Sequence, residues 1–258
     1  MEPMGSASDR FNRIASNYAT SEIHRSSPTI ARLHELLEGS AVGSVCDVGC
    51  GAGHFGLSFA GKAARIVAVD PAPNMLRAAA LAAKEKGVCL ETHEAPAEAL
   101  PLADGEFDLA ISRQAPHHFT DVYAAVREMA RVTKPGGRVA VIDLRGHEDE
   151  ECDEFNHRVE LLHDPTHVRS YTADRWRDIF EQANLVIEAL ESGSERPEGV
   201  PVKRWCEIAA SGAQAEAEIN RLLREAGPAM LPTLGIRKQG GDFLMPIRTV
   251  LILARRAA

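Results

Sequence analysis

Apolar positions along the chain change their period in a regular way. Phe11, Ile14 and Tyr18 recur at helical spacing and predict a short N-terminal helix. Pro28 opens a second helix with Ile30, Leu33, Leu36 and Leu37 as its buried stripe, ended by Gly39. Short apolar runs then alternate with helical patterns. Strands are predicted at 44–48, 65–70, 88–91, 107–112 and 138–143, with helices over 54–61, 74–86 and 120–132 between them. Such alternation is the signature of parallel βαβ units, a doubly wound sheet covered on both faces. Residues 144–171 break the pattern; they are rich in acids and histidines and show no strand. A helix at 173–183, a strand at 185–190, two helical patterns at 201–210 and 213–226 and a last strand at 246–254 complete the chain.

Ligands in such sheets sit beyond the carboxyl ends of the strands. One stretch there stands out, Asp47-Val48-Gly49-Cys50-Gly51-Ala52-Gly53-His54-Phe55-Gly56. Glycines let the backbone approach a ligand closely, and a helix start offers free N–H groups. Residues 51–56 satisfy G-x-G-x-x-G, and Asp70 ends the second strand where a dinucleotide fold places its ribose acid. An NAD-dependent oxidoreductase is therefore one reading. Asp47 argues otherwise, because an acid beside a pyrophosphate is repelled, whereas it suits an ammonium group.

Composition narrows the partners. The 258 residues are 45% apolar and carry a net charge of −8, which disfavours a broad nucleic-acid surface. No apolar run approaches the length of a membrane span, and residues 1–20 lack the apolar core of a signal peptide. The five cysteines form no C-x-x-C pair. Together these features predict a cytoplasmic protein with reduced thiols, without nucleic-acid partner or stable membrane insertion, acting as monomer or homodimer.

The motifs continue in order: D-V-G-C-G-A-G at 47–53, V-D-P-A-P-N-M-L at 69–76, A-E-A-L-P at 97–101, F-D-L-A-I-S-R-Q-A-P-H-H-F at 107–119 and K-P-G-G at 134–137. Over about residues 10–190 the chain resembles the class I S-adenosylmethionine-dependent methyltransferases. Within them it is similar to the small-molecule, type 11-like group that includes the ubiquinone/menaquinone C-methyltransferases. The resemblance implies an α/β Rossmann-like fold with a seven-stranded, mostly parallel sheet and an antiparallel last strand. It implies a single domain over 1–258: an N-terminal helical lid (1–40), a cofactor-binding core (41–143), and cap segments at 144–171 and 195–243 over the acceptor.

It also implies roles. Asp47, with the backbone at Gly49 and Gly51, would hold the methionine ammonium end, and Gly53 would permit the turn. Asp70 would bind the ribose diol and Met75 would pack on adenine. Ala97 would present its backbone N–H to the ring with Glu98 beside it, and Arg113 would lend its backbone to the methionine part. Pro96 replaces the acid that often precedes the Ala of A-E-A-L-P, so adenine recognition departs in detail. The product would be S-adenosylhomocysteine.

Methyl transfer needs an aligned acceptor, exclusion of water and, for some acceptors, a base. His117 and His118 follow the fourth strand and are base candidates, as is His167 in H-D-P-T-H-V-R at 163–169, whose counterpart in the similar family closes over the pocket. Arg169 would orient the acceptor, and Tyr18 would lie under the lid with His24 nearby. His157, His163 and His167 could bind a metal, but Pro165 interrupts their helical spacing, and no metal is assigned. Trp205, Met230, Leu231, Leu234, Phe243 and Met245 would line the acceptor site or pack the cap. The predicted activity is methylation of carbon or oxygen on a small, partly apolar molecule. The alternatives are the oxidoreductase and a non-catalytic cofactor-binding protein. A nucleic-acid or protein methyltransferase is disfavoured by the acidic balance and the lack of an N-P-P-Y-like segment.

Overall fold

The computed structural model describes residues 6–20 and 27–257, with side chains for 6–15 and 27–257. The side chain of Tyr18, and His24 altogether, lie outside the described residues. Helices α1 (Ala7–Thr20) and α2 (Pro28–Leu36) precede the first strand. Ser27 caps α2 by accepting from the Ile30 N–H, an interaction of about 1 kcal/mol. The sheet is then built from β1 (Ser44–Val48), β2 (Arg65–Asp70), β3 (Leu90–Glu94), β4 (Phe107–Arg113) and β5 (Thr133–Leu144). Between them run α3 (Pro73–Glu85) and α4 (Val122–Val132).

After β5 come α5 (Glu150–His163) and α6 (Ala173–Gln182), then the long strand β6 (Leu185–Pro201). Helices α7 (Val202–Ala209), α8 (Ala213–Glu225) and α9 (Met230–Leu234) lead to β7 (Arg237–Gln239) and β8 (Asp242–Arg256). The main strand order is β3-β2-β1-β4-β5-β8-β6, with β7 paired to β8. β8 is antiparallel to both of its long neighbours; β1 to β5 pair in parallel. The doubly wound sheet with an antiparallel last strand is thus the one predicted, with the short β7 as an eighth strand beyond the seven expected.

Each face of the sheet carries a core. Val126, Met129, Trp176, Ile179 and Phe180 of α4 and α6 pack on one face. Leu33 of α2, Phe55 and Phe59 cover Val45, Leu109, Ile111 and Ile142 on the other. A separate cluster joins Val159, Trp205, Ile219, Leu223 and Phe243 in the cap. Complete burial of one such side chain contributes roughly 1.5–3 kcal/mol. The cap is built on the projecting ends of β6 and β8, whose pairing shifts register between Ser194 and Arg196 and again before Val200.

Two local predictions are corrected. The helix expected over 54–61 is a single 3₁₀ turn, Gly56–Phe59, since Gly56 is drawn onto Asp47. The strand expected at 88–91 runs Leu90–Glu94, because Val88 still bonds back to Ala83 of α3. The segment after β5 holds α5, whose start Asp149 caps at Cys152 N. Among the described residues no helix is long and apolar enough to cross a membrane.

Candidate active site

β1 delivers Asp47 to its carboxyl end, 1% exposed, where Oδ2 accepts from the Gly56 N–H at 2.8 Å. The chain then turns sharply, and Gly49 N and Cys50 N both donate to Val69 O. Gly49 adopts φ +65°, and a Cβ there would stand 2.6 Å from that of Ala115, so only glycine fits. Asp70 ends β2 and ties the loop down, with Oδ2 accepting from Gly51 N and Oδ1 from Ala72 N, each at 2.9 Å.

Above this loop lies a cavity of about 340 Å³. Asp47, Gly49, Gly51, Asp70, Met75, Ala97, Glu98 and Arg113 all line it, with Ser8 and Phe11 of α1 on the opposite side. Gly53 lies against Ala79 of α3 instead, 2.9 Å from where its Cβ would be. The Glu98 carboxylate is engaged, accepting from Thr120 N and Asp121 N at the start of α4. Burial pushes the Asp47 carboxyl up to about 7, which the Gly56 N–H only partly offsets, and pushes Asp70 up to about 6. Two buried acids held above the carboxylate range, beside an N–H-rich turn and the apolar Met75, Ala97 and Phe11, are a poor bed for phosphates. They fit a ligand with a cationic amine, a ribose and a flat ring, as S-adenosylmethionine has.

A smaller cavity of about 100 Å³ adjoins it and shares Phe11, Gln114 and His118 with it. Gln114 adopts φ 49°, a left-handed conformation uncommon outside glycine, and donates its N–H to Ile142 O. This bend starts the 3₁₀ turn Pro116–His118 and places both histidines in the cavity wall. His117 Nδ1 lies 2.6 Å from Oδ1 of Asp143, a completely buried residue at the carboxyl end of β5. Asp143 can only accept when ionised, so Nδ1 carries the proton and Nε2 holds the lone pair. Asp143 Oδ2 has no hydrogen-bond partner among the described residues. Burial lowers the affinity of His117 for a proton, but the Asp143 carboxylate outweighs it and holds the imidazole above its ordinary value.

The other two histidines behave oppositely. Burial, then the neighbouring imidazole of His117, lowers His118 to about 3 and His167 to about 2. Both are therefore poorer proton acceptors than His117. His118 Nδ1 is 3.0 Å from Thr166 O, Phe11 meets the His118 ring edge-on, and His167 stacks on His117. The loop carrying His167 is strapped down by Val168 N donating to His117 O.

Arg169 is not among the residues lining either cavity; its guanidinium pairs with Asp153 of α5. Trp205 lines the second cavity, stacked on His163 at 3.7 Å, and also belongs with Leu234, Phe243 and Met245 to the cap core, against which Met230 and Leu231 pack. Among the described residues no three His, Cys, Asp or Glu side chains are disposed to hold a metal ion. Sequence reasoning missed Asp143, although an acid ending a strand beside the histidines, as Asp47 and Asp70 end theirs, was a usable signal. It also missed Arg10 and Glu195, whose partners Asp164 and Arg113 are far away in sequence.

The methyltransferase domain model matches residues 46–141. The uncharacterized methyltransferase YcgJ of Bacillus subtilis is 30% identical over 247 residues, covering 94% of this chain and 96% of that protein. Its crystal structure superposes with a TM-score of 0.82 over 89% of this chain and 98% of that one. A ubiquinone biosynthesis O-methyltransferase from Methylobacterium is 32% identical over 94 residues, 36% of this chain and 38% of its own length. A buried acid under a glycine turn, an acid at the end of β2 and near full-length similarity to YcgJ lead to one assignment: the chain belongs to the S-adenosylmethionine-dependent methyltransferases of class I fold.

Proposed function

We propose that the larger cavity takes S-adenosylmethionine and the smaller one a small, partly apolar acceptor, methylated on oxygen or carbon with His117 as general base. The observation that carries this reading is the His117–Asp143 pair in the wall of a cavity that shares Phe11, Gln114 and His118 with the glycine-loop cleft. Bound S-adenosylmethionine supplies an electrophilic sulfonium methyl. His117 Nε2 removes the proton from the acceptor as its oxygen or carbon attacks in line, and Asp143 stabilises the imidazolium that forms. Phe11 and the strapped loop at 164–169 cover the junction from water. Asp47 faces the ammonium group, Asp70 the ribose hydroxyls, and Met75 and Ala97 the adenine.

The acceptor wall includes Leu144, Val200, Ile208 and Ile247 beside the acids Glu160 and Asp164, and no Lys or Arg lines it among the described residues, which fits a partly apolar molecule without an anionic group. Four of the five free cysteines are buried, consistent with residence in a reducing compartment such as the cytoplasm. Turnover with methyl-labelled donor and a panel of small phenols, enols and alcohols tests the mechanism. His117→Ala is expected to lower kcat by about 10²–10⁴-fold while S-adenosylhomocysteine affinity is kept. Unchanged kcat in that variant would remove His117 as base.

A further inference from the structure

The smaller cavity holds a carboxylate that no described residue satisfies. Glu160 stands in the last turn of α5, three residues before His163, and both line this cavity. The Glu160 side chain is 13% exposed and receives no hydrogen bond from a described residue. His163 Nδ1 is 3.7 Å from its Oε2, beyond hydrogen-bond length. The His163 ring is held elsewhere. It stacks on Trp205, and its Nε2 lies 3.2 Å from Trp205 O, which can only accept. With the proton on Nε2, the neutral ring carries its lone pair on Nδ1 and has nothing to donate to Glu160. Asp164, the other acid of the wall, is already engaged by Arg10 and by Thr166 N and Oγ1.

A carboxylate withdrawn from water asks for a cation or an N–H donor. No Lys or Arg lines the cavity among the described residues. The Glu160 charge is felt across it at His117, where it adds to the effect of Asp143. A second polar group in the same wall is also unmatched. His167 is 5% exposed, and its buried Nε2 has no hydrogen-bond partner among the described residues. Around these groups the wall is apolar, with Trp205, Ile208 and Ile247.

We propose that the methyl acceptor is a cationic amine, an apolar body with a protonated amino group that Glu160 holds and an oxygen or carbon that meets the donor beside His117. This rests on the reading of the smaller cavity as the acceptor site. Glu160 lines that cavity and not the donor cleft, so the amine is an anchor and the attacking atom lies at the other end of the molecule. The ammonium supplies the N–H donors and the charge that Glu160 lacks, and His167 Nε2 offers a further polar contact. An acceptor with a carboxylate in place of the amine meets two acids and no cation. Glu160 is thus a specificity residue, separate from the base.

The test uses three phenols of similar size. Tyramine carries an ammonium, 4-propylphenol has a methyl group in its place, and 4-hydroxyphenylacetate carries a carboxylate. Each is titrated calorimetrically into the full chain saturated with S-adenosylhomocysteine. The wild-type chain should bind tyramine about tenfold or more tighter than 4-propylphenol, as a charge-assisted hydrogen bond provides. It should bind 4-hydroxyphenylacetate most weakly. Glu160→Gln should remove the preference for tyramine while leaving 4-propylphenol within about twofold. Glu160→Leu should reverse the order of the two.

Affinity for 4-propylphenol or 4-hydroxyphenylacetate equal to that for tyramine, or no binding of any of the three, would overturn the proposal. So would a tyramine preference that survives both variants, equal weakening of all three phenols in Glu160→Gln, or methyl transfer to the tyramine nitrogen. Transfer from labelled donor to the 4-propylphenol oxygen would then leave the reading of the cavity as the acceptor site standing. Failure of the wild-type chain to bind S-adenosylhomocysteine would overturn that reading and this inference together.

Discussion

Ionisation of a few buried side chains governs this site. Asp47, pushed up to about 7 by burial, stays protonated longer in the folded chain than its ordinary value of 3.8 allows. The folded state therefore binds more protons than the unfolded one between those values, and stability contributed by Asp47 falls as pH rises through that window. Relative to Asp47→Asn, the ligand-free wild-type chain should lose stability from about pH 4 to about pH 7 by chemical denaturation; a flat difference would show that Asp47 ionises normally. His117 has the opposite chemistry. Because Asp143 raises its pKa, kcat should rise with pH through a single ionisation above 6.5, the ordinary value. Asp143→Asn should shift that ionisation downward and reduce kcat. An unshifted profile would mean that another group is the base. Burial and the neighbouring imidazoles hold His118 and His167 below the ordinary histidine value, so under the proposed mechanism the ionisation seen in kcat is that of His117.

Elements explain which parts of this arrangement were legible in the sequence. The strand–loop–strand unit was plain, because Asp47, three glycines and Asp70 sit at fixed places relative to apolar runs. Gly49 illustrates the constraint: Gly49→Ala combines a positive φ with a 2.6 Å contact to Ala115. It should destabilise the chain by about 1–3 kcal/mol and weaken donor binding, measurable by thermal unfolding with and without S-adenosylhomocysteine. Helix α5 was illegible because its apolar stripe is thin and its first turn holds Glu150, Glu151 and Asp153. It is held by packing within the cap core, where its Val159 is buried, and that contact has no local signal. The helix predicted after the glycine loop failed for a related reason. Gly56 must donate its N–H to Asp47, and its missing side chain leaves room for that carboxylate 2.9 Å from where Cβ would be. Long-range partners such as Arg113 with Glu195 were invisible, since nothing local in either stretch names the other.

At the scale of the molecule, α1 is the link between donor core and cap. Asn12 bonds Asn74 at the start of α3 twice, through its side chain and its carbonyl, and Ser8 Oγ donates to Pro71 O. On the other side Arg10 pairs with Asp164 at 3.1 Å, where α5 ends. Phe11 between them touches both cavities. Arg10→Ala leaves Asp164 without this partner and loosens the cover from the cap side. It should speed release of S-adenosylhomocysteine by several-fold in stopped-flow displacement; an unchanged rate would mean that α1 does not gate the donor. The cap is mounted on β6 and β8 with its own small core and contributes Glu160, His163, Trp205 and Ile208 to the wall of the smaller cavity.

The central claim is that a buried acid under the glycine turn selects a cationic, phosphate-free donor. Calorimetric titration of S-adenosylhomocysteine into the wild-type chain and Asp47→Asn, at pH 6 and pH 8, tests it most directly. Binding to the wild-type chain should strengthen toward pH 8 as Asp47 ionises. In the variant, affinity should be at least about tenfold weaker and lack that pH dependence. Equal affinity in the two proteins at both pH values, or no binding to the wild-type chain, would contradict it.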